Sequence, residues 1–160
     1  MAERREYPER PIIGVGGVLI SNGRVLLIRR GSPPLQGQWS IPGGTLEVGE
    51  TLVEGVRREL LEETGIGVRV QNLIDVFERI DRDGFGNAQY HFVVLDYLCE
   101  AVQGTACAGS DVTEVAWAAR AELERYSLTE IATRVILKGF ELAAEGGRST
   151  GAQTLRSERN

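Results

Sequence analysis

Three glutamates, Glu59, Glu62 and Glu63, crowd into "RRELLEETG", Arg57 to Gly65. At about 100° per residue around a helix they fall within roughly a third of the circumference. Leu52, Val53, Val56 and Leu60 form an adjoining apolar stripe, so the carboxylates border the core face. Glu59 and Glu63 then face each other as like charges. Such a pair costs a few tenths of a kcal/mol, roughly, when exposed, and more when partly desolvated. Arg58 is placed to reach Glu54 and Glu62 at i,i+4 spacing. A divalent cation would offset the charge that remains. Clustered carboxylate oxygens suit hard cations such as Mg2+ or Mn2+, and Mg2+ typically bridges carboxylates to phosphates of a substrate. On the helix alone, a solvated acidic face is the competing reading.

The elements that must position this cluster follow from pattern. Thr51 with Glu54 three residues on makes a capping box, and Gly65 ends the helix, so Thr51–Thr64 is a helix. "IIGVGGVLI" reads as a buried strand, Asn22-Gly23 as a tight turn, and "VLLIRR" as the returning strand. "GSPPLQGQWSIPGG" is loop chemistry, with Trp39 and Ile41 as anchors. "GVRVQNLIDVFERI", "AQYHFVVLDYLCEAV" and "VAWAA" read as strands, and "SLTEIATRVILKGFELAAE" as an amphipathic helix. Trp117 is expected to pack under that last helix. Mixed strands and helices with hairpin connections indicate an α/β fold: an α/β/α sandwich with a mixed sheet between helices. Residues 1–10 read as a flexible, charged lead-in, 11–143 as a single domain, and 144–160 as a disordered Gly/Ser-rich tail.

Bulk properties narrow the function classes. The 160 residues favour one domain. A net charge of -5 argues against a nonspecific nucleic-acid or anionic-membrane binder. It leaves room for a small anionic substrate held by a metal and a few arginines. Two cysteines, Cys99 and Cys107, are too few for a disulfide framework or a zinc site and read as reduced thiols. There is no apolar run of transmembrane length and no signal region, so the expected location is the cytoplasm.

The spacing around the glutamates is more specific than the helix. From Gly44, five residues lead to Glu50; seven more lead to Arg58, Glu59, Leu60, Leu61, Glu62, Glu63, Thr64, Gly65 and Ile66. This resembles the Nudix hydrolase signature, G-x5-E-x7-R-E-U-x-E-E-x-G-U with U a bulky aliphatic residue, at all nine specified positions. By average residue usage such a match arises by chance on the order of once in 10^8 windows. The resemblance implies the Nudix α/β/α sandwich and hydrolysis of nucleoside diphosphates linked to another moiety, with Mg2+ or Mn2+. It implies that Glu59, Glu62 and Glu63 ligate metal, that the Gly44 carbonyl is a further ligand, and that Arg58 and Glu50 brace the network. The general base in the family is a box glutamate or an acid on a later loop, here "AGSDVTE", with Asp111 and Glu114 as candidates.

The remaining motifs carry weaker readings. Arg29 and Arg30 end the second strand near the box loop, where a phosphate contact and a plain surface charge are equally good accounts. His91, the only histidine, reads as a satisfied strand residue. Tyr90, Phe92 and Phe85 could stack a base, with core packing as the default. Gly14, Gly16 and Gly17 do not make a dinucleotide fingerprint, because the third glycine is misplaced and a hairpin follows. The overall pattern looks most like compact bacterial members described as ADP-ribose pyrophosphatases. That group carries a proline beyond the signature which "FERIDRDGFGN" lacks. The expected substrate is ADP-ribose or a related nucleotide sugar, giving a nucleoside monophosphate and a sugar phosphate. The alternatives are a triphosphate pyrophosphohydrolase, acting for example on 8-oxo-dGTP, and a nucleotide-binding sensor without turnover. No nucleic-acid or membrane partner is expected, and the resemblance leaves a homodimer open.

Overall fold

A computed structural model describes residues 4–33 and 35–157, with side chains described as far as residue 147. Strands β1 (Ile12–Ser21) and β2 (Arg24–Arg30) form the expected hairpin. Its turn residues Asn22 and Gly23 both take positive φ, 51° and 72°, as a two-residue hairpin loop demands. Short β3 (Trp39–Ser40) and β4 (Gly43–Thr45) precede helix α1 (Leu52–Thr64). Then come β5 (Gly67–Arg82), β6 (Ala88–Gln103), β7 (Val112–Ala119), a 3-10 turn at Arg120–Tyr126 and helix α2 (Glu130–Ser157).

The seven strands form one mixed sheet, ordered β3-β2-β1-β6-β5. β4 pairs with β1 and β7 with β2. β1 and β6 are parallel over eight residue pairs, while the other pairings are antiparallel. Side chains alternate across β1, so each face of the sheet receives its own core. Val15 and Leu19 pack with Val56 and Leu60 of α1, Leu26, Val68 and Cys99. Val18 packs on the other face with Val25, Leu27, Ala118 and with Val135 and Ile136 of α2. The α/β/α sandwich is therefore the observed architecture. Trp117 differs from expectation: it packs beside the α1 core, not under α2.

The chain ends also differ in detail from the composition-based reading. The lead-in is tied to the sheet: the Tyr7 amide donates to the Gln89 carbonyl at 2.8 Å, and the Gln89 side chain donates to Glu6. At the other end the backbone stays helical to Ser157, beyond the tail boundary at 143. Once α2 is nucleated on the sheet, each added residue gains a hydrogen bond, and Gly146-Gly147 alone does not halt that propagation. Residues 158–160 of the expected tail lie outside the described residues.

Candidate active site

α1 is delivered to the sheet with both ends fixed. The Thr51 hydroxyl accepts from the Glu54 amide at 3.2 Å, and the Glu54 carboxylate accepts from the Thr51 amide at 2.8 Å. That reciprocal box satisfies two of the donors orphaned at a helix start. It also explains why Glu54 is not the partner of Arg58. At the far end, Gly65 takes φ 73° and its amide returns to the Leu61 carbonyl. The loop after β6 then caps the last turn. Cys107, Gly109 and Ser110 donate their amides to the carbonyls of Thr64, Glu63 and Glu62. A Cβ at Gly109 would overlap the Glu62 carbonyl oxygen, so this close seat needs glycine. Pattern reading did not single out Gly109, since one glycine in a polar loop carries no signal of its contact.

The second wall of the site is β4. It pairs with β1 through Val15–Gly44 and Gly16–Gly43, which presents the Gly43-Gly44 backbone to α1. A Cβ on Gly44 would sit 2.5 Å from the Glu59 carboxyl, so the bare backbone is what lets that carboxylate approach. The Gly43 amide donates to Glu63 at 2.9 Å. The two carboxylates thus lie against one glycine pair.

Arg58 braces the rest of the cluster. It donates to Glu50 through Nε at 2.6 Å and Nη2 at 3.1 Å, a bidentate pair. Its Nη1 reaches Glu59 at 2.7 Å and Glu62 at 3.3 Å, and Nη2 also donates to the Thr45 carbonyl. One guanidinium therefore joins the loop, α1 and β4. The hydrogen bonds from Arg58 hold the Glu50 carboxyl below its ordinary range, and Glu50 in turn keeps Arg58 firmly protonated.

Burial shifts both glycine-facing carboxylates the same way. Burial pushes the Glu63 carboxyl up to about 8, against its Gly43 hydrogen bond; the neighbouring charges of Glu59 and Asp111 add to the rise and Arg30 opposes it. Burial also raises Glu59, with Arg58 pulling the other way. Arg58 is shared among four carboxylates, including Glu47 at 3.8 Å, and does not compensate them all.

A divalent cation fits this donor set. Glu59 is buried and Glu63 half-buried, both are pushed up by burial, and a divalent cation would neutralise carboxylates held in this way. Among the described residues, however, no three acidic, histidine or cysteine side chains converge on a ready-made ion cage. Arg58 stands between Glu59 and Glu62 instead.

The remaining candidates divide. Arg30 and Asp111 both lie close enough to Glu63 to act on its charge. Arg5 and Arg79, neither expected at the site, add positive charge beside Arg30, and Arg5 also acts on Glu59. Arg29 and Glu114 oppose each other across β2 and β7 and pair at 3.0 Å, on the exposed surface. His91 faces Ile80 across β5–β6, and Tyr90 and Phe92 stack at 6.2 Å. Cys99 is buried, Cys107 exposed, and both are free thiols. No helix is long and apolar enough among the described residues to cross a membrane.

Comparison with known proteins gives the family. A family model described as NUDIX domain matches residues 10–138. The chain belongs to the NUDIX domain family. An ADP-ribose pyrophosphatase of Methanocaldococcus jannaschii is 36% identical over 104 residues, covering 65% of this chain and 59% of that protein. This NUDIX domain therefore spans less than two thirds of that relative. A MutT-like protein of Streptomyces ambofaciens is 36% identical over 120 residues, covering 73% of this chain and 71% of the relative. A crystal structure of a MutT NUDIX hydrolase from Burkholderia pseudomallei superposes with a TM-score of 0.70 at 32% identity, covering 81% of this chain and 98% of that one.

Proposed function

We propose that this NUDIX domain hydrolyses the diphosphate linkage of a nucleoside diphosphate derivative, with ADP-ribose or a related nucleotide sugar as its substrate. The observation that carries the reading is the pair of carboxylates, buried Glu59 and half-buried Glu63, held against Gly43-Gly44 beside the Arg58 brace. The similarity to an ADP-ribose pyrophosphatase supports the choice of substrate.

Glu59, Glu62, Glu63 and the Gly44 carbonyl would hold Mg2+ or Mn2+. The ion supplies neutralisation of the diphosphate charge and activation of a bound water. The chain's own residues do the positioning. Arg58 and Glu50 fix the carboxylate bearing of α1, and the capping loop fixes its last turn. Arg30, whose charge acts on Glu63, would receive a phosphate oxygen. Asp111, whose charge also acts on Glu63, is the acid of the later loop that would accept a proton from attacking water. Glu114 is occupied by Arg29. No nucleophilic side chain is needed, because water attacks phosphorus and a phosphate leaves.

A second reading, release of pyrophosphate from a nucleoside triphosphate, is supported by the similarity to a nucleoside triphosphatase of Enterobacter sp., 29% identical over 126 residues. Product analysis with Mg2+ on ADP-ribose, another nucleotide sugar, dGTP and 8-oxo-dGTP separates the two. AMP and ribose 5-phosphate from ADP-ribose, absent with Glu63→Gln, is the expected result. Monophosphate and pyrophosphate from a triphosphate alone would replace it with the second reading. Metal and nucleotide binding without turnover on any of the four would make the domain a sensor.

A further inference from the structure

On the sheet face that α2 packs against, β1 offers no side chain at two successive positions. Gly14 and Gly16 share that face with Val18, which packs with Val135 and Ile136 of α2. The register sets Val94 of β6 beside Gly14 and Asp96 beside Gly16, with Phe77 of β5 next to Val94. Phe92 follows on the same face of β6, stacked on Tyr90. Phe77, Phe92 and Val94 are only half-buried. The result is a flat glycine floor beside an aromatic wall, a surface that suits a planar ring. The Gly44 carbonyl borders the floor, 3.8 Å from where a Gly14 Cβ would stand.

Asp96 closes the far end. It is 3% exposed, yet makes no hydrogen bond and no ion pair among the described residues. A Cβ on Gly16 would overlap its carboxyl, with the Ile41 side chain and the Pro42 carbonyl close by. The cations that α2 offers here, Lys138 and Arg134, go to Asp75 instead, at 3.0 and 3.9 Å. Among the described residues every fully enclosed side-chain polar atom has a partner, so the Asp96 oxygens keep accessible surface. A buried carboxyl without a donor is costly unless a ligand supplies one. The position suits a substrate. Gly16 pairs with Gly43 on one side and Asp96 on the other, so Asp96 stands two strand spacings, about 10 Å, from the backbone that holds Glu63. That matches the span of a nucleoside from its 5′-phosphate to the far edge of its base.

We propose that this face of the sheet is the base subsite and that Asp96 reads the base, accepting a hydrogen bond from the 6-amino group of adenine. The assignment rests on the nucleotide substrate proposed above. An ionised carboxylate accepts and cannot donate, so it favours an amino group and disfavours a keto oxygen in the same place. Asp96 is a specificity residue and takes no part in the bond-breaking step.

Calorimetric titration of the full chain with AMP and with IMP, in Mg2+ at pH 8, tests it. The two share ribose and phosphate and differ at position 6 of the base. The parent is expected to bind AMP tighter by on the order of tenfold. Asp96→Asn, whose amide both donates and accepts, is expected to erase the preference. Asp96→Leu is expected to weaken AMP and spare IMP. Phe92→Ala weakens both nucleotides alike and leaves the preference in place. Should one Asp96 variant misfold, the other and the parent's own preference still decide the matter. Equal affinity of the parent for AMP and IMP, binding of neither, or a preference unchanged in a folded Asp96 variant would overturn the proposal. Failure of the hydrolysis reading is a separate result: no AMP released from ADP-ribose, while AMP binding and its preference over IMP persist.

Discussion

At the residue scale the site sets stability against activity. Glu63 is half-buried, feels the charge of Glu59 and accepts from the Gly43 amide. Glu63→Gln removes a half-buried charge that its surroundings disfavour. Without metal, its midpoint in urea at pH 8 is expected to equal or exceed that of the parent, while turnover falls by several orders of magnitude. A matched fall in both would mean that Glu63 is structural. Arg58→Lys tests the brace differently. Lysine cannot reproduce the bidentate grip on Glu50 together with the Glu59 and Thr45 contacts. Circular dichroism is expected to show a folded but less stable chain, and kinetics a loss carried mainly by kcat. The glutamates and Arg58 were legible because their spacing is rigid within one helix. The Arg58–Glu50 pair was implied by the family resemblance alone. The Arg5 and Arg79 contributions were not legible, because both act on groups far from them in sequence.

At the element scale, α1 is the part that the rest of the fold serves. Its start is held by Thr51 and Glu54, and Thr51→Ala should cost about 1 kcal/mol of stability. A thermal or urea melt reads that loss directly; an unchanged midpoint would mean that the box contributes nothing. The capping box, the Gly65 stop and the Asn22-Gly23 turn could all be read from local chemistry, since each is decided within four residues. The pairing of β1 with β6 could not. It is parallel and joins residues some 80 positions apart, and no local pattern encodes that choice. The helical backbone beyond 143 was missed for a related reason. Composition reports what a segment prefers alone, not what a packed helix ahead of it imposes.

At the scale of the whole molecule, the raised carboxylates give the metal-free protein an unusual pH dependence. Glu63 is pushed up to about 8, and burial pushes Asp96 up to about 7, with the charge of Asp75 adding to it. The folded chain therefore binds more protons than the unfolded chain between the ordinary carboxylate range and pH 8. By linkage, stability from these groups is fully present below that range and is lost as pH rises through 7 and 8. Urea midpoints of the metal-free chain should fall from pH 5 to pH 9, and Glu63→Gln should flatten the slope in part, leaving the share of Asp96. A midpoint that rises over this interval would refute the electrostatic assignment. The most direct single measurement is titration of the full chain with Mn2+ followed by electron paramagnetic resonance, in parallel with Glu63→Gln. Saturable loss of the free-ion signal in the parent, strongly weakened in a folded Glu63→Gln, is the expected result. Equal binding by both, or none by the parent, would contradict a metal site built on Glu59, Glu62 and Glu63.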